Sequence, residues 1–248
     1  MNKRQNFIFG IRTVLEALRT GQHFERVFIQ KGLKGELYQE LMAALHKTSN
    51  PISKVPVERI NKFTTKNHQG VLALISPIQY YKIDQIVPSL FEEGKTPLIL
   101  VLDQITDIRN FGAICRTAEC HGVHTIVIPA KGGAQINADA IKTSAGALHH
   151  LPICRASEIA SDLDYLKKSG FSITACSEKG RKKIDQLRFT DPTAIILGSE
   201  ENGISSELFE YSDQIGSIPL HGEISSLNVS VAAGIILYEA NRQRSALV

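Results

Sequence analysis

A chain of 248 residues, 43% hydrophobic and 21% charged, is long enough to bury a sizeable core as one domain or two and too apolar to be disordered. No apolar run follows the basic start to make a signal peptide, and none approaches the ~20 residues that span a bilayer, so a soluble, cytoplasmic protein without membrane attachment is expected. The net charge of +3 hides a division: residues 1–79 hold 12 Lys and Arg against 5 Glu, a net +7, and residues 80–248 hold 16 against 20 acids, a net −4.

In chain order, "FIFG" precedes a helical pattern, "IRTVLEALRTG", with Val14, Leu15 and Leu18 apolar and Gly21 placed to end it. "RVFIQ" reads as a strand, "GELYQELMAALHK" as a helix, "ISKVPV" as extended, "ERINKF" as a short helix and "GVLALI" as a closing strand. Residues 1–76 are therefore expected to form a small α/β unit. Its positive charge is what a phosphate backbone selects, since neutralising phosphates releases counterions; a solvated lysine-rich surface has the same composition, and charge alone leaves both open.

Residues 77–96 contain Pro77, Pro88 and Gly94 and break the strand-helix alternation, as a connector with one short helix would. Beyond it, "PLILVLD", "HTIVIP", "FSITAC", "TAIILG" and "GSIPL" are short apolar runs, each followed by a helical or loop stretch. Runs without polar alternation suit parallel strands covered on both faces, so residues 97–248 are expected to be a parallel sheet between helices. The four cysteines, Cys115, Cys120, Cys154 and Cys176, lack metal-ligand spacing and read as reduced, mostly buried thiols; no metal is expected.

Ligands of open parallel sheets bind beyond the carboxyl ends of strands, and three loops there are unusual. In "LDQITDIRNFGAICRTAECHG", Asn110 or Asp107 can cap a helix that carries Arg116, which taken by itself reads first as an exposed-face arginine. In "IILGSEENGIS", Gly198 and Gly203 bracket a tight turn with exposed amides. No lysine follows, and Glu200 and Glu201 would repel a triphosphate, so a ligand here is neutral or cationic at its nearest atoms, unless the turn merely caps a helix. In "GSIPLHGEISSLNVSVAAGIILYEA", Ser225 or Ser226 is expected to cap a helix with Leu227, Val231, Gly234, Ile235 and Tyr238 on one face. Its small residues let a ligand or another helix approach closely. Gly-x-Gly-x-x-Gly and Gly-x-Ser-x-Gly are both missing, which disfavours dinucleotide and serine-hydrolase chemistry.

In order and spacing, Asn110-x-Gly112-x-x-x-Arg116-Thr-Ala-Glu119, then Leu197-Gly198-x-Glu200-x-x-Gly203, then Ile218-Pro219 leading to Ser226-Leu227-Asn228-Val-Ser230, resemble the SPOUT superfamily of RNA methyltransferases. More narrowly they resemble its SpoU/TrmH branch of ribose 2′-O-methyltransferases, and most of all the type acting on a guanosine of large-subunit (23S) ribosomal RNA. "FGIRTVLEAL" and "NHQGVLA" are similar to the small ribosomal-protein-like RNA-binding domain that precedes the catalytic domain in this branch.

The resemblance implies an α/β catalytic domain with a C-terminal trefoil knot, S-adenosyl-L-methionine as cofactor, RNA as partner and a homodimer. It implies a cofactor site at Leu197, Gly198, Gly203, Ile218, Leu220, Leu227 and Asn228, and a catalytic set of Arg116, Asn110, Glu200, Ser226 and Asn228. Arg116 is the family's proposed base, yet a guanidinium stays protonated at physiological pH. Holding the adjacent phosphate and stabilising the developing alkoxide suits it better, in its own pocket or in its partner subunit's. Ile108 replaces a proline frequent in relatives, and Glu223 lies near the expected RNA surface. Transfer RNA as substrate, and a non-catalytic RNA-binding assembly factor, are the alternatives.

Overall fold

The computed structural model describes residues 6–47 and 50–246, and the chain divides into two units, one ending at Gln79 and the other beginning at Tyr80. The first comprises β1 (Phe7–Phe9), α1 (Ile11–Arg19), β2 (Phe24–Gln30), α2 (Glu36–Lys47), β3 (Ile52–Val55), α3 (Val57–Asn61) and β4 (Val71–Ile75). Its sheet runs β1-β4-β2-β3, with only β2 and β3 parallel. The spacing read from the sequence buries Val14, Leu15 and Leu18 of α1, with Leu41 and Leu45 of α2, on one sheet face. Phe28, Ile60, Leu72 and Leu74 form a smaller cluster on the other.

The second unit comprises β5 (Tyr80–Tyr81), α4 (Ile83–Glu92), β6 (Leu98–Leu102), α5 (Ile108–Cys120), β7 (Thr125–Pro129), α6 (Ala138–Thr143), β8 (Ile153–Ala156), α7 (Ile159–Lys168), β9 (Ser172–Cys176), β10 (Lys182–Lys183), β11 (Thr193–Leu197), α8 (Ser206–Glu210), β12 (Gln214–Ser217) and α9 (Val229–Ser245). All its strand pairs are parallel, in the order β10-β12-β9-β11-β6-β7-β8-β5. Strands β6, β9 and β11 are buried along most of their length, as uninterrupted apolar runs covered on both faces should be.

Four details differ from the sequence reading. The 77–96 stretch is no mere connector: β5 pairs with β8, and Ile83 and Val87 of α4 enter the core of the second unit. Pro88 is tolerated inside α4 although a proline lacks the amide that continues a helix. The run "GSIPL" holds only the end of β12, because Ile218, Pro219 and Leu220 leave the sheet. The last helix starts at Val229, so neither Ser225 nor Ser226 caps it; Asn228 does, its side chain accepting from the Ser230 amide at 2.9 Å. Its apolar face also turns: Val231, Ile235 and Tyr238 are exposed, while Val229, Ala233, Ile236, Leu237 and Ala240 are buried.

Candidate functional site

The order of the sheet places the site. Strands β6, β7 and β8 proceed one way from the middle, while β11, β9 and β12 lie on the other side, so the loops after β6 and β11 diverge at their shared boundary. Such a switch point opens a crevice at the carboxyl ends. Leu197 lies in register with Leu102 on one neighbour and Cys176 on the other, and Cys176 with Gly216, which brings the loops of four strands together. Buried Asp103 pins two of them, its carboxylate accepting from the Ser205 amide at 2.7 Å.

A cavity of about 390 Å³ opens there, and Leu197, Gly198, Gly203, Ile218, Leu220 and Leu227 all line it. Ser226 lines it too. Asn228 does not: as the cap of α9 it faces the neighbouring acid and amide instead of the cavity. The wall at 198–204 is a closed turn in which Ser199 and Gly203 exchange backbone hydrogen bonds of 3.1 and 2.9 Å. Gly203 has φ 65°, and a Cβ on Gly198 would lie 2.0 Å from the Gly203 carbonyl carbon, so both positions demand glycine. On the opposite wall, Ala232 and Ile236 of α9 show what its small residues provide: cavity surface on one side and close packing on the other, where Gly234 faces Thr117 of α5.

Beside the cavity, three expected catalytic residues form one network. Glu200 Oε1 accepts from Asn110 Nδ2 at 3.1 Å, from Asn228 Nδ2 at 2.7 Å and from the Val229 amide at 3.4 Å. Asn228 Nδ2 also donates to Asn110 Oδ1 at 3.0 Å. Two donations from Ser230, its amide and its hydroxyl at 2.6 Å, reach Asn228 Oδ1 and fix which way that amide points. Asn110 is free for this because Asp107, not Asn110, caps α5 through the amides of Arg109 and Asn110.

Arg116 stands apart. It is exposed, does not line the cavity, and has no hydrogen-bond or ion-pair partner among the described residues. Six residues carry it about 120° around α5 from Asn110, so one chain does not bring it to the Glu200 network.

The sequence reading overlooked the loop after β9, where Cys176, Ser177, Glu178 and Lys179 line the cavity. The rule that ligands collect at strand ends points to it, since "FSITAC" reads as a strand. Burial pushes the Cys176 thiol up to about 12, which makes it a poor nucleophile. Cys115 and Cys154 are buried and Cys120 is exposed. The cavity carries Glu178, Glu200 and Glu201 against Lys179. A cationic ligand of a few hundred Å³ with apolar parts therefore fits, and S-adenosylmethionine, with its sulfonium, is of that class.

Comparison with known proteins points the same way. Residues 97–238 match the SpoU rRNA Methylase family, and residues 7–81 match the RNA 2′-O ribose methyltransferase substrate-binding domain. The chain is 35% identical over 240 residues to the 23S rRNA (guanosine-2′-O-)-methyltransferase RlmB of Photorhabdus laumondii, covering 96% of this chain and 98% of that one. It is 29% identical over 246 residues to the putative TrmH family tRNA/rRNA methyltransferase YacO of Bacillus subtilis, covering 99% and 98%. The fold matches that of the SpoU methyltransferase AviRb from Streptomyces viridochromogenes, also solved with AdoMet, at a TM-score of 0.62 and 24% identity over 97% of this chain and 90% of that one. With substrate-binding and catalytic domains both matched, the chain belongs to the SpoU family of S-adenosylmethionine-dependent RNA 2′-O-ribose methyltransferases.

Proposed function

We propose that the protein methylates a ribose 2′-hydroxyl of ribosomal RNA in the cytoplasm, a guanosine of 23S RNA, as a homodimer. The observation that carries the reading is the acid-rimmed cavity next to the Asn110–Glu200–Asn228 network, in a chain that also holds an RNA substrate-binding domain. The relative named for 23S guanosine, similar along almost the entire chain, favours ribosomal RNA; the relative named for both RNA classes keeps transfer RNA as the second reading.

S-adenosylmethionine, held in the cavity, would supply a methyl group on a cationic sulfur whose departure as a neutral thioether is already favourable. The chain's own task is to align the ribose hydroxyl and steady the charge that grows on its oxygen. Leu197, Gly198, Gly203, Ile218, Leu220 and Leu227 hold the cofactor through backbone and apolar surface. Glu200 and the Ser230 donors fully engage the Asn228 amide, which holds Asn110 in place, and the remaining polar edge of Asn110, with Ser226, orients the RNA. Arg116 grips the neighbouring phosphate and stabilises the developing alkoxide.

A second copy completes this arrangement, delivering its Arg116 to the network. Supporting the dimer are the distance of Arg116 around α5 from its own Asn110 and the exposed apolar stripe of Val231, Ile235 and Tyr238 on α9. The trefoil knot implied by the family belongs to the same reading, supported by the shared cavity of the 198–204 and 216–229 segments. Labelled S-adenosylmethionine offered with unmodified ribosomal and transfer RNA tests the substrate, and label only in transfer RNA overturns the choice. Sedimentation equilibrium tests the dimer, and a monomer at the concentration that gives full activity overturns it.

A further inference from the structure

Seven residues separate Arg109 from Arg116, two turns of α5 or about 10 Å, so both lie on one side of the helix. Both are exposed, and neither guanidinium has a partner among the described residues. The acid nearest in sequence to Arg109 is already engaged, since Asp107 Oδ1 accepts from the amides of Arg109 and Asn110 at 2.8 Å each. Glu119, one turn beyond Arg116, forms no ion pair with it.

Helix α6 lies against the same stretch of α5. Gly112 makes the approach possible, since a Cβ there would sit 2.6 Å from Thr143 Cβ. The residue before Thr143 is Lys142, exposed and likewise without an ion partner among the described residues. These three cations sit on two packed helices of a unit that is net acidic as a whole. Free guanidinium and ammonium groups held on a rigid surface are what a chain of phosphates requires.

We propose that Arg109 and Lys142 extend the phosphate contact of Arg116 into a track for the RNA backbone along α5 and α6, so that the catalytic unit grips RNA itself instead of leaving this to the substrate-binding domain. The inference rests on the proposed role of Arg116 at an RNA substrate. Each residue contributes about one phosphate contact, sequence-independent and lost in salt.

The test measures binding of the full-length protein to a fluorescein-labelled transcript of large-subunit ribosomal RNA between 50 and 200 mM KCl, roughly the range over which phosphate contacts declare themselves. Arg109→Gln and Lys142→Gln should each flatten the slope of log K against log salt by about 1 and weaken binding to all RNA sequences alike. Arg109→Lys should restore the slope, and calorimetric binding of S-adenosylmethionine should stay at the wild-type value in all three variants. Unchanged slopes with an active wild-type enzyme overturn the track alone. Wild-type protein that binds the cofactor but no RNA overturns the track and the proposed function together.

Discussion

Replacing Gly198 with alanine should open the cavity wall. The added Cβ would lie 2.0 Å from the Gly203 carbonyl carbon, 2.2 Å from its oxygen and 2.2 Å from the Ile204 nitrogen, all backbone atoms that no rotamer change can move. Ordinary contact begins near 3.4 Å, so the strand leaving β11 and the return strand at 203–204 must part by more than 1 Å, roughly the limit of what packed cores absorb. Parting them sacrifices the two Ser199–Gly203 hydrogen bonds at about 1 kcal/mol each, and residual overpacking adds about 1 kcal/mol, for a total of about 3 kcal/mol. At roughly 2–4 °C per kcal/mol for a chain of this size, the melting temperature should fall by about 6–12 °C. If half of the distortion remains when cofactor binds, affinity drops about tenfold. Differential scanning calorimetry and isothermal titration with S-adenosylmethionine read both quantities. Gly222→Ala is the control, because a Cβ there meets nothing within 4 Å and should leave stability unchanged. Wild-type melting and wild-type affinity in Gly198→Ala would show that the wall at 198–204 tolerates the added Cβ.

Glu200→Ala removes the common acceptor for Asn110, Asn228 and the Val229 amide and should slow methyl transfer by about 50-fold, whereas Glu200→Gln keeps an oxygen for the same donors and should slow it less than about tenfold. Equal losses in single-turnover assays would assign the effect to the charge instead of the network. Burial, with help from Asp84 and against Lys82, pushes the Asp162 carboxyl up to about 6. The folded state therefore holds this proton more tightly than the unfolded one, and stability falls as pH rises from about 4 to 6, then levels. Asp162→Asn should stabilise at pH 7.5 by about 1 kcal/mol, allowing for screening of a half-buried group, and the gain should vanish near pH 4; thermal melts at both ends check it. Arg244 donates to the carbonyls of Thr96, Pro97, Phe189 and Asp191, clamping the end of α9, and Arg244→Ala should cost about 2 kcal/mol, read as a lowered denaturation midpoint with an unchanged denaturant slope.

What could be read from the sequence was whatever local chemistry dictates. Apolar runs without alternation mark β6, β7, β9 and β11, and the Gly198–Gly203 spacing marks a turn that needs glycine at Gly198 for close backbone approach and at Gly203 for its positive φ. Harder to see was β8, whose strand contains Arg155; that residue is buried, its guanidinium stacked 3.3 Å over the ring of Tyr80, a partner 75 residues earlier. Strand β5 and helix α4 were obscured for a related reason, since Pro77 and Pro88 signal interruption locally while pairing with β8 and core burial override them. The start of α9 was misjudged because serine and asparagine are comparable caps, and only the three-dimensional approach of Glu200 and the Ser230 donors selects Asn228. The motifs name Asn110, Glu200 and Asn228, which hydrogen-bond to one another, whereas Arg116 lies six residues further along α5 and about 120° around the helix from Asn110.

Transfer of labelled methyl groups from S-adenosylmethionine to unmodified 23S ribosomal RNA, with the product digested to nucleosides and compared between wild type and Arg116→Ala, tests ribose methylation and the part played by Arg116 together. Label on 2′-O-methylguanosine is expected with the wild-type protein, and its loss in the variant while cofactor binding persists. Label on a base, or equal ribose methylation by Arg116→Ala, would contradict that expectation.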